Sequence, residues 1–266
     1  MKILKIYPKI DTKKRYNYNV NYGLWDQIEG DKVILENFNK NLNNYDVVFL
    51  PMYKRWENNK NLFNRIKEHR IKTVLFDNDS VYRSFNDKFY HNIDFCFYRG
   101  VDKFKNKPKC NSFKLKWSVN TEILKPKYGC EKITFNCTVN KHYPLRQNIA
   151  KIIKSTNFFV EKYIDNIKNS GAAIHTDSEI APVVRAKAIE FAACGTEIIS
   201  NKVDNMNDYY PDELITYFND INHLKEIIKN YKPNIEIQKE LRHITEIKHD
   251  VRIRSKEVIH EIKKLF

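Results

Sequence analysis

Along the first half of the chain, short continuous hydrophobic runs alternate with longer mixed segments. Residues 1–7 read as a strand, 45–50 (YDVVFL) as a second that Pro51 ends, 61–70 as a helix, 72–76 (KTVLF) as a third strand and 93–98 (IDFCFY) as a fourth. Runs that are apolar throughout, rather than at every second position, suit a parallel sheet covered by helices on both faces. The second half repeats this rhythm with sharper punctuation. Residues 132–138 (KITFNCT) predict a strand, 143–155 a helix, 171–175 (GAAIH) a strand, 181–193 a helix that Gly195 ends, and 196–200 (TEIIS) the next strand. Thr176 and Glu179 have capping-box spacing, which predicts a helix start just ahead of Pro182. Two more helices, 221–231 and 237–266 with a break near His249 and Asp250, close the chain.

This pattern predicts an α/β protein of two Rossmann-like domains, residues 1–120 and 121–266, with the change near 117–127. Composition agrees. A chain of 266 residues that is 42% hydrophobic can fill two cores of about 100–150 residues each. With six Gly and eight Pro, no stretch is long enough to act as a flexible spacer, so the connection is short. The apolar opening is too short for a signal peptide, and no run approaches about 18 apolar residues. No transmembrane segment and a cytoplasmic location are therefore expected. Five cysteines without a Cys-x-x-Cys pair argue against a disulfide framework and a closed zinc site, and Cys194 is expected to be a buried thiol.

Charge separates the halves. Residues 1–130 hold 26 Lys+Arg against 14 Asp+Glu, a balance of +12, while residues 131–266 hold 21 against 19. Between 103 and 127 eight lysines face Glu122 alone. Such a run is either a solvated face or a surface for polyanions or acidic lipid. No serine nucleophile elbow, Walker loop, Gly-x-Gly-x-x-Gly or His-Glu-x-x-His is present, which disfavours hydrolases, NTPases and zinc proteases.

Two stretches resemble a known family. Residues 171–200, GAAIHTDSEIAPVVRAKAIEFAACGTEIIS, resemble the donor-site strand, helix and glycine turn of GT-B glycosyltransferases, where a Lys or Arg and a Glu on the helix precede an Ala-Cys-Gly-Thr turn. Residues 116–127, KWSVNTEILKPK, resemble the crossover that opens the second domain of these enzymes. The small bacterial spore-maturation type is nearest in pattern, and the likeness covers about the last 150 residues. One departure stands out. The larger family carries two glutamates eight positions apart, and the earlier one falls here at Pro182, with Glu179 and Asp177 as the nearest carboxylates.

The resemblance implies two Rossmann-like domains facing a cleft and a hexosyltransferase that takes a nucleoside diphosphate sugar, by default a UDP-sugar. No metal and no cofactor beyond that donor are implied. A carboxylate accepting two ribose hydroxyls makes charge-assisted bonds about twice as strong as neutral ones, and Glu190 is the candidate; the alternative is an ion pair with Lys187 on one helix face. Charge developing on the leaving diphosphate is met by basic side chains and helix amino ends. Arg185 and Lys187 form one basic group and Lys141 and Arg146 the other, with Thr196 and the backbone at Gly195 as further donor contacts. His175 ends a strand at the edge where open α/β sheets bind ligands, and either touches the donor or is a structural histidine.

Asp77 and Asp79, directly after the strand at 72–76, are candidates for the acceptor's catalytic base. The same Asp-x-Asp supports an alternative, a metal-dependent single-domain GT-A enzyme, and a third reading is an Asx turn. The acceptor expected opposite the basic half is anionic: teichoic acid or another cell-surface glycan, or DNA with hydroxymethylated bases. A non-catalytic nucleic-acid-binding module is the alternative from another functional class, on the strength of the basic half and the 16 Phe, 16 Tyr and 3 Trp.

Overall fold

A computed structural model of the chain describes residues 1–7, 20–35, 38, 41–51, 56, 58–77, 87–99, 108, 110–137, 139, 143–154, 163–176 and 184–266. In chain order the first half contributes β1 (Ile3–Tyr7), α1 (Val20–Gln27), β2 (Asp31–Ile34), β3 (Val47–Pro51), α2 (Lys60–Glu68), β4 (Lys72–Asp77), α3 (Asp87–Tyr90), β5 (Phe95–Tyr98) and β6 (Ser112–Lys114). The strands form one six-stranded sheet in the order β2-β1-β3-β4-β5-β6. Every neighbouring pair in it is parallel. The central strands are buried along their lengths, which is why their sequences are apolar without alternation. Helix α2 is fixed by local chemistry: the Asn59 side chain accepts the Leu62 N–H at its start, and Leu62, Phe63 and Ile66 form the buried stripe.

The second half contributes β7 (Ile133–Phe135), α4 (Pro144–Ile152), α5 (Tyr163–Lys168), β8 (Ala172–His175), α6 (Ala186–Ala193), β9 (Glu197–Asn201), β10 (Ile215–Phe218), α7 (Ile221–Asn230), α8 (Ile235–Lys248) and α9 (Val251–Lys263). Its four strands are parallel in the order β10-β9-β8-β7. One face, with Ala173 and Ile198, packs with Ile164, Ile167, Ala188 and Phe191. The other face, with Phe135, Ala172, Ile174 and Ile199, packs with Ile149 and Leu224. Contacts divide the chain into two compact units: among the described residues, 1–7, 26–116 and 255–266 group in the first, and 20–25 and 117–254 in the second. Among the described residues no helix is long and apolar enough to cross a membrane.

Several elements differ from expectation for identifiable reasons. The helix expected from residue 181 starts only at Ala186, because Val184 N–H donates to Asn205 Oδ1 at 2.7 Å and Arg185 N–H to His175 Nε2 at 3.3 Å, which keeps these two residues extended. Glu179 and Pro182, on which the capping-box expectation rests, lie outside the described residues. The break near 249–250 is present: His249 Nε2 lies 3.1 Å from the Tyr209 carbonyl oxygen, and Asp250 Oδ2 accepts both the N–H and the hydroxyl of Thr121, at 3.1 and 2.5 Å. Strands β2, β6 and β10 and helices α1, α3 and α5 have no counterpart among the predicted elements.

Candidate functional site

In a parallel sheet every strand delivers its last residue to the same edge, and in the second unit that edge gathers four of the predicted site residues, Arg146, His175, Arg185 and Lys187. Strand β7 ends toward Asn136 and Cys137, β8 ends at His175 and Thr176, and helices α4 and α6 follow them. Neither Tyr143 nor Arg185, at the positions preceding these helices, caps with its side chain. Both helices therefore begin with backbone N–H groups that their own N-cap residues leave unbonded, the arrangement that favours an anion.

Two basic side chains reach this edge from different helices. Arg146 of α4 donates from Nε to Thr176 Oγ1 at 3.1 Å and from Nη2 to the Thr176 carbonyl at 3.4 Å, with its guanidinium 4.2 Å from the centre of the Tyr143 ring. Lys187, in the first turn of α6, donates from Nζ to the Asn136 carbonyl at 2.6 Å and to Cys137 Sγ at 3.5 Å. Burial pushes the Lys187 ammonium below the usual lysine range, and Arg146 pushes the same way while Cys137 and Glu190 oppose it. The two cations thus sit close enough to repel. An anion between them would relieve that repulsion.

His175 feels the charge of both and is buried. Its Nε2 accepts the Arg185 N–H, so the ring proton is on Nδ1, 3.0 Å from Ser200 Oγ, which itself donates to the Asn201 carbonyl at 2.7 Å. Both ring nitrogens are engaged within the protein, and the histidine orders the start of α6. Burial, then the charges of Lys187 and Arg146, push its pKa down to about 3. An unfolded chain binds a proton at this residue near 6.5, so between those values the unfolded state carries more protons. The stability that neutral His175 supplies is complete above about pH 6.5 and lost as pH falls toward 3. The thermal midpoint of a His175→Gln variant should accordingly fall less between pH 6.5 and 4 than that of the parent; parallel curves would assign the acid sensitivity to other groups.

Glu190, one turn after Lys187 on α6, is 8% exposed. Its hydrogen-bond partner within the protein is not Lys187 but Tyr163 of α5, whose hydroxyl donates to Oε2 at 2.5 Å. Among the described residues no hydrogen bond reaches Oε1. Burial raises the Glu190 pKa, and the Tyr163 hydroxyl and Lys187 charge pull it back. Asn136 is fully buried; its amide donates to Thr134 Oγ1 at 3.1 Å and its Oδ1 has no partner.

Other expected members lie elsewhere. Thr196 and Gly195 stand at the opposite, N-terminal end of β9, which corrects their assignment to the donor. The Thr196 hydroxyl is fully buried and donates to the carbonyls of Ile167 and Ser170 at 3.0 and 3.3 Å. Gly195, at φ +69°, closes α6: its N–H bonds the Ala192 carbonyl and that of Thr196 the Phe191 carbonyl, the paired bonds of a Schellman turn. Asp77 ends β4 in the first unit, fully buried, and accepts the Tyr90 hydroxyl at 3.2 Å. Lys141 and Asp79 lie outside the described residues, as does most of the lysine run at 103–109. Sequence reasoning missed Tyr163, Cys137 and Thr176. Tyr163 is 27 positions from Glu190 at the head of a six-residue helix, with no local pattern that pairs them.

Comparison with solved structures returns similar molecules over nearly the whole chain. Anabaena Alr3699/HepE, solved in complex with UDP-glucose, is 10% identical, with a TM-score of 0.66, 99% of this chain and 100% of that one being covered. T4 phage beta-glucosyltransferase is 14% identical, with a TM-score of 0.61 and 99% of each chain covered. AviGT4, a glycosyltransferase involved in avilamycin A biosynthesis, is 9% identical, with a TM-score of 0.56 over 99% and 97%. No protein-family model and no curated protein matches the sequence. At such identities the likeness shows the fold, which is GT-B, with its two parallel α/β sheets. That result displaces the single-domain GT-A alternative.

Proposed function

We propose that this chain is a glycosyltransferase that moves a hexose from a UDP-sugar to a hydroxyl group. The observation that carries the reading is the convergence of Arg146, Lys187 and two helix amino ends at the C-terminal edge of the second sheet, with Glu190 inward of them. Similar molecules have been solved with UDP and with UDP-glucose. A diphosphate brings two negative charges to a place where two cations already crowd each other. Arg146 and Lys187 would then trade a threonine and a backbone carbonyl for phosphate oxygens, and the same contacts would meet the charge that develops on the leaving UDP. Arg185, whose N–H bonds His175, would add to them.

The ribose falls to Glu190 Oε1, the oxygen left open among the described residues. The donor is the only small molecule this scheme requires. The acceptor is assigned to the first half, whose +12 balance over residues 1–130 favours an anionic partner such as an acidic glycan or DNA carrying hydroxymethylated bases. Asp79 would be the base there, because Asp77 is fully buried and holds the Tyr90 hydroxyl. Five free cysteines fit a cytoplasmic setting.

The test is a thermal-shift and calorimetric comparison of UDP with GDP, ADP and TDP, using the intact chain and Glu190→Gln. A ligand at a hundred times its Kd adds about 2.7 kcal/mol, which moves the midpoint by several degrees at about 2–4 °C per kcal/mol. UDP should give the largest shift. Hydrogen bonds to a charged group contribute about 1.5–3 kcal/mol, so Glu190→Gln should weaken UDP binding about tenfold to a hundredfold. A chain that ignores every nucleotide would point instead to the nucleic-acid-binding module.

A further inference from the structure

Tyr163 and Glu190 form a buried pair that no predicted element anticipates. The tyrosine heads α5, the glutamate lies on α6, and the bond between them is 2.5 Å long, at the short end for a hydroxyl donating to a carboxylate. Tyr163 is 8% exposed and packs in the same core as Ile164, Ile167, Ala188 and Phe191. Its ring alone would serve that packing. A phenylalanine would fill the same space but would lose the bond to the carboxylate.

We propose that Tyr163 is a positioning residue of the nucleotide site, whose hydroxyl holds Oε2 of Glu190 and so presents the ionised carboxylate's free Oε1 to the ribose hydroxyls. The inference rests on the assignment of Glu190 to the ribose. An ionised carboxylate accepts from two directions; a protonated one loses an acceptor site and gains a donor that competes with the ligand. Burial favours the protonated form, and few groups oppose it. Across from Glu190 stand Tyr163 on α5 and, on its own helix, Lys187 and Cys194. Cys137, after β7, adds its field at Tyr163. Lys168 of α5 and Arg242 of α8 act on Cys194, and Arg146 on Lys187. Of these, Tyr163 alone donates a hydrogen bond to the carboxylate. Without it the carboxyl takes up a proton at higher pH, and a site that needs the anion fails from the acid side.

The experiment measures UDP affinity by calorimetry from pH 5.5 to 8.5 for the intact chain, Tyr163→Phe and Glu190→Gln. Comparison at each pH cancels the titration of the nucleotide itself. Tyr163→Phe should bind about tenfold more weakly at the acid end, the size of one hydrogen bond to a charged group, with most of the loss recovered at pH 8.5. Its acid limb should stand at higher pH than the parent's. Replacement of Tyr163 by the more acidic 3-fluorotyrosine keeps the packing and should move the limb the other way, which decides the matter even if the phenylalanine variant does not fold. A loss that is the same at every pH, or none, with Glu190→Gln still impaired, overturns the role of Tyr163 alone. Unchanged UDP binding by Glu190→Gln overturns the ribose assignment beneath it.

Discussion

Replacing Gly171 with alanine should lower the thermal midpoint by about 6–12 °C, the equivalent of about 3 kcal/mol in a chain near this size. The glycine opens β8, and a Cβ there would stand 1.7 Å from the Cys130 carbonyl oxygen and 2.6 Å from the Tyr231 hydroxyl. The first of these is backbone, so no rotamer change relieves it. Shifting the strand is also costly. Gly171 N–H donates to the Lys132 carbonyl at 2.7 Å, and its own carbonyl accepts the Glu197 N–H at 2.8 Å and Gln238 Nε2 at 3.3 Å. Glu197 in turn accepts from Tyr231, Asn234 N–H and Gln238. The sheet edge, the α7–α8 connection and α8 would have to move together. Gly129→Ala is the control: φ is +74° but the new Cβ meets only Ile235, at 3.6 Å, so strain alone should cost about 1 kcal/mol. Scanning calorimetry separates the two, and a Gly171→Ala midpoint within a degree of the parent would contradict the packing.

Arg242→Met should cost about 3–5 kcal/mol, measured as a lower denaturant midpoint at unchanged slope. The side chain is 6% exposed on α8. Its Nη1 donates to the carbonyls of Leu124, at 2.6 Å, and Ala193, its Nη2 to that of Thr121 at 2.8 Å, and its Nε to Glu246 at 2.7 Å. One guanidinium thereby serves the end of α6, where a cation is favoured, and the turn at 121–124. Methionine fills much of the volume but leaves three carbonyls short of a donor, each costing about 1–3 kcal/mol before relaxation. Lysine cannot fork between them, so Arg242→Lys should recover less than half of the loss. A methionine variant as stable as the parent would mean that water or rearrangement satisfies those carbonyls.

Much of the architecture is legible in short-range pattern. Strands such as Lys72–Asp77 are apolar on both faces because both faces are buried, and this is visible without knowing which strand lies beside which. Gly195 ends α6 because only a residue at ease with φ +69° completes that turn, and the pairing near Asp250 interrupts the last helical stretch where the sequence suggests. The missed strands are informative. Asp31–Ile34 is exposed to half-buried and Ser112–Lys114 only half-buried, both at edges of the first sheet. An edge strand's identity depends on the neighbour it joins, and that neighbour is distant in sequence.

By itself the sequence determined that there are two parallel α/β layers, where most of their helices end, and that Arg146, Lys187, His175 and Glu190 fall near the ends of strands and the starts of helices. These are local matters of periodicity, capping and backbone freedom. Tertiary structure alone decided which of those side chains meet. It turned the Thr196 hydroxyl onto the carbonyls of Ile167 and Ser170, occupied both nitrogens of His175, delayed α6 to Ala186 through Asn205, and gave Glu190 a tyrosine rather than a lysine as its partner. The physical reason is that burial forces each polar group to find a hydrogen-bond partner, and the partner is chosen by what the fold brings within about 3 Å, not by what lies nearby along the chain.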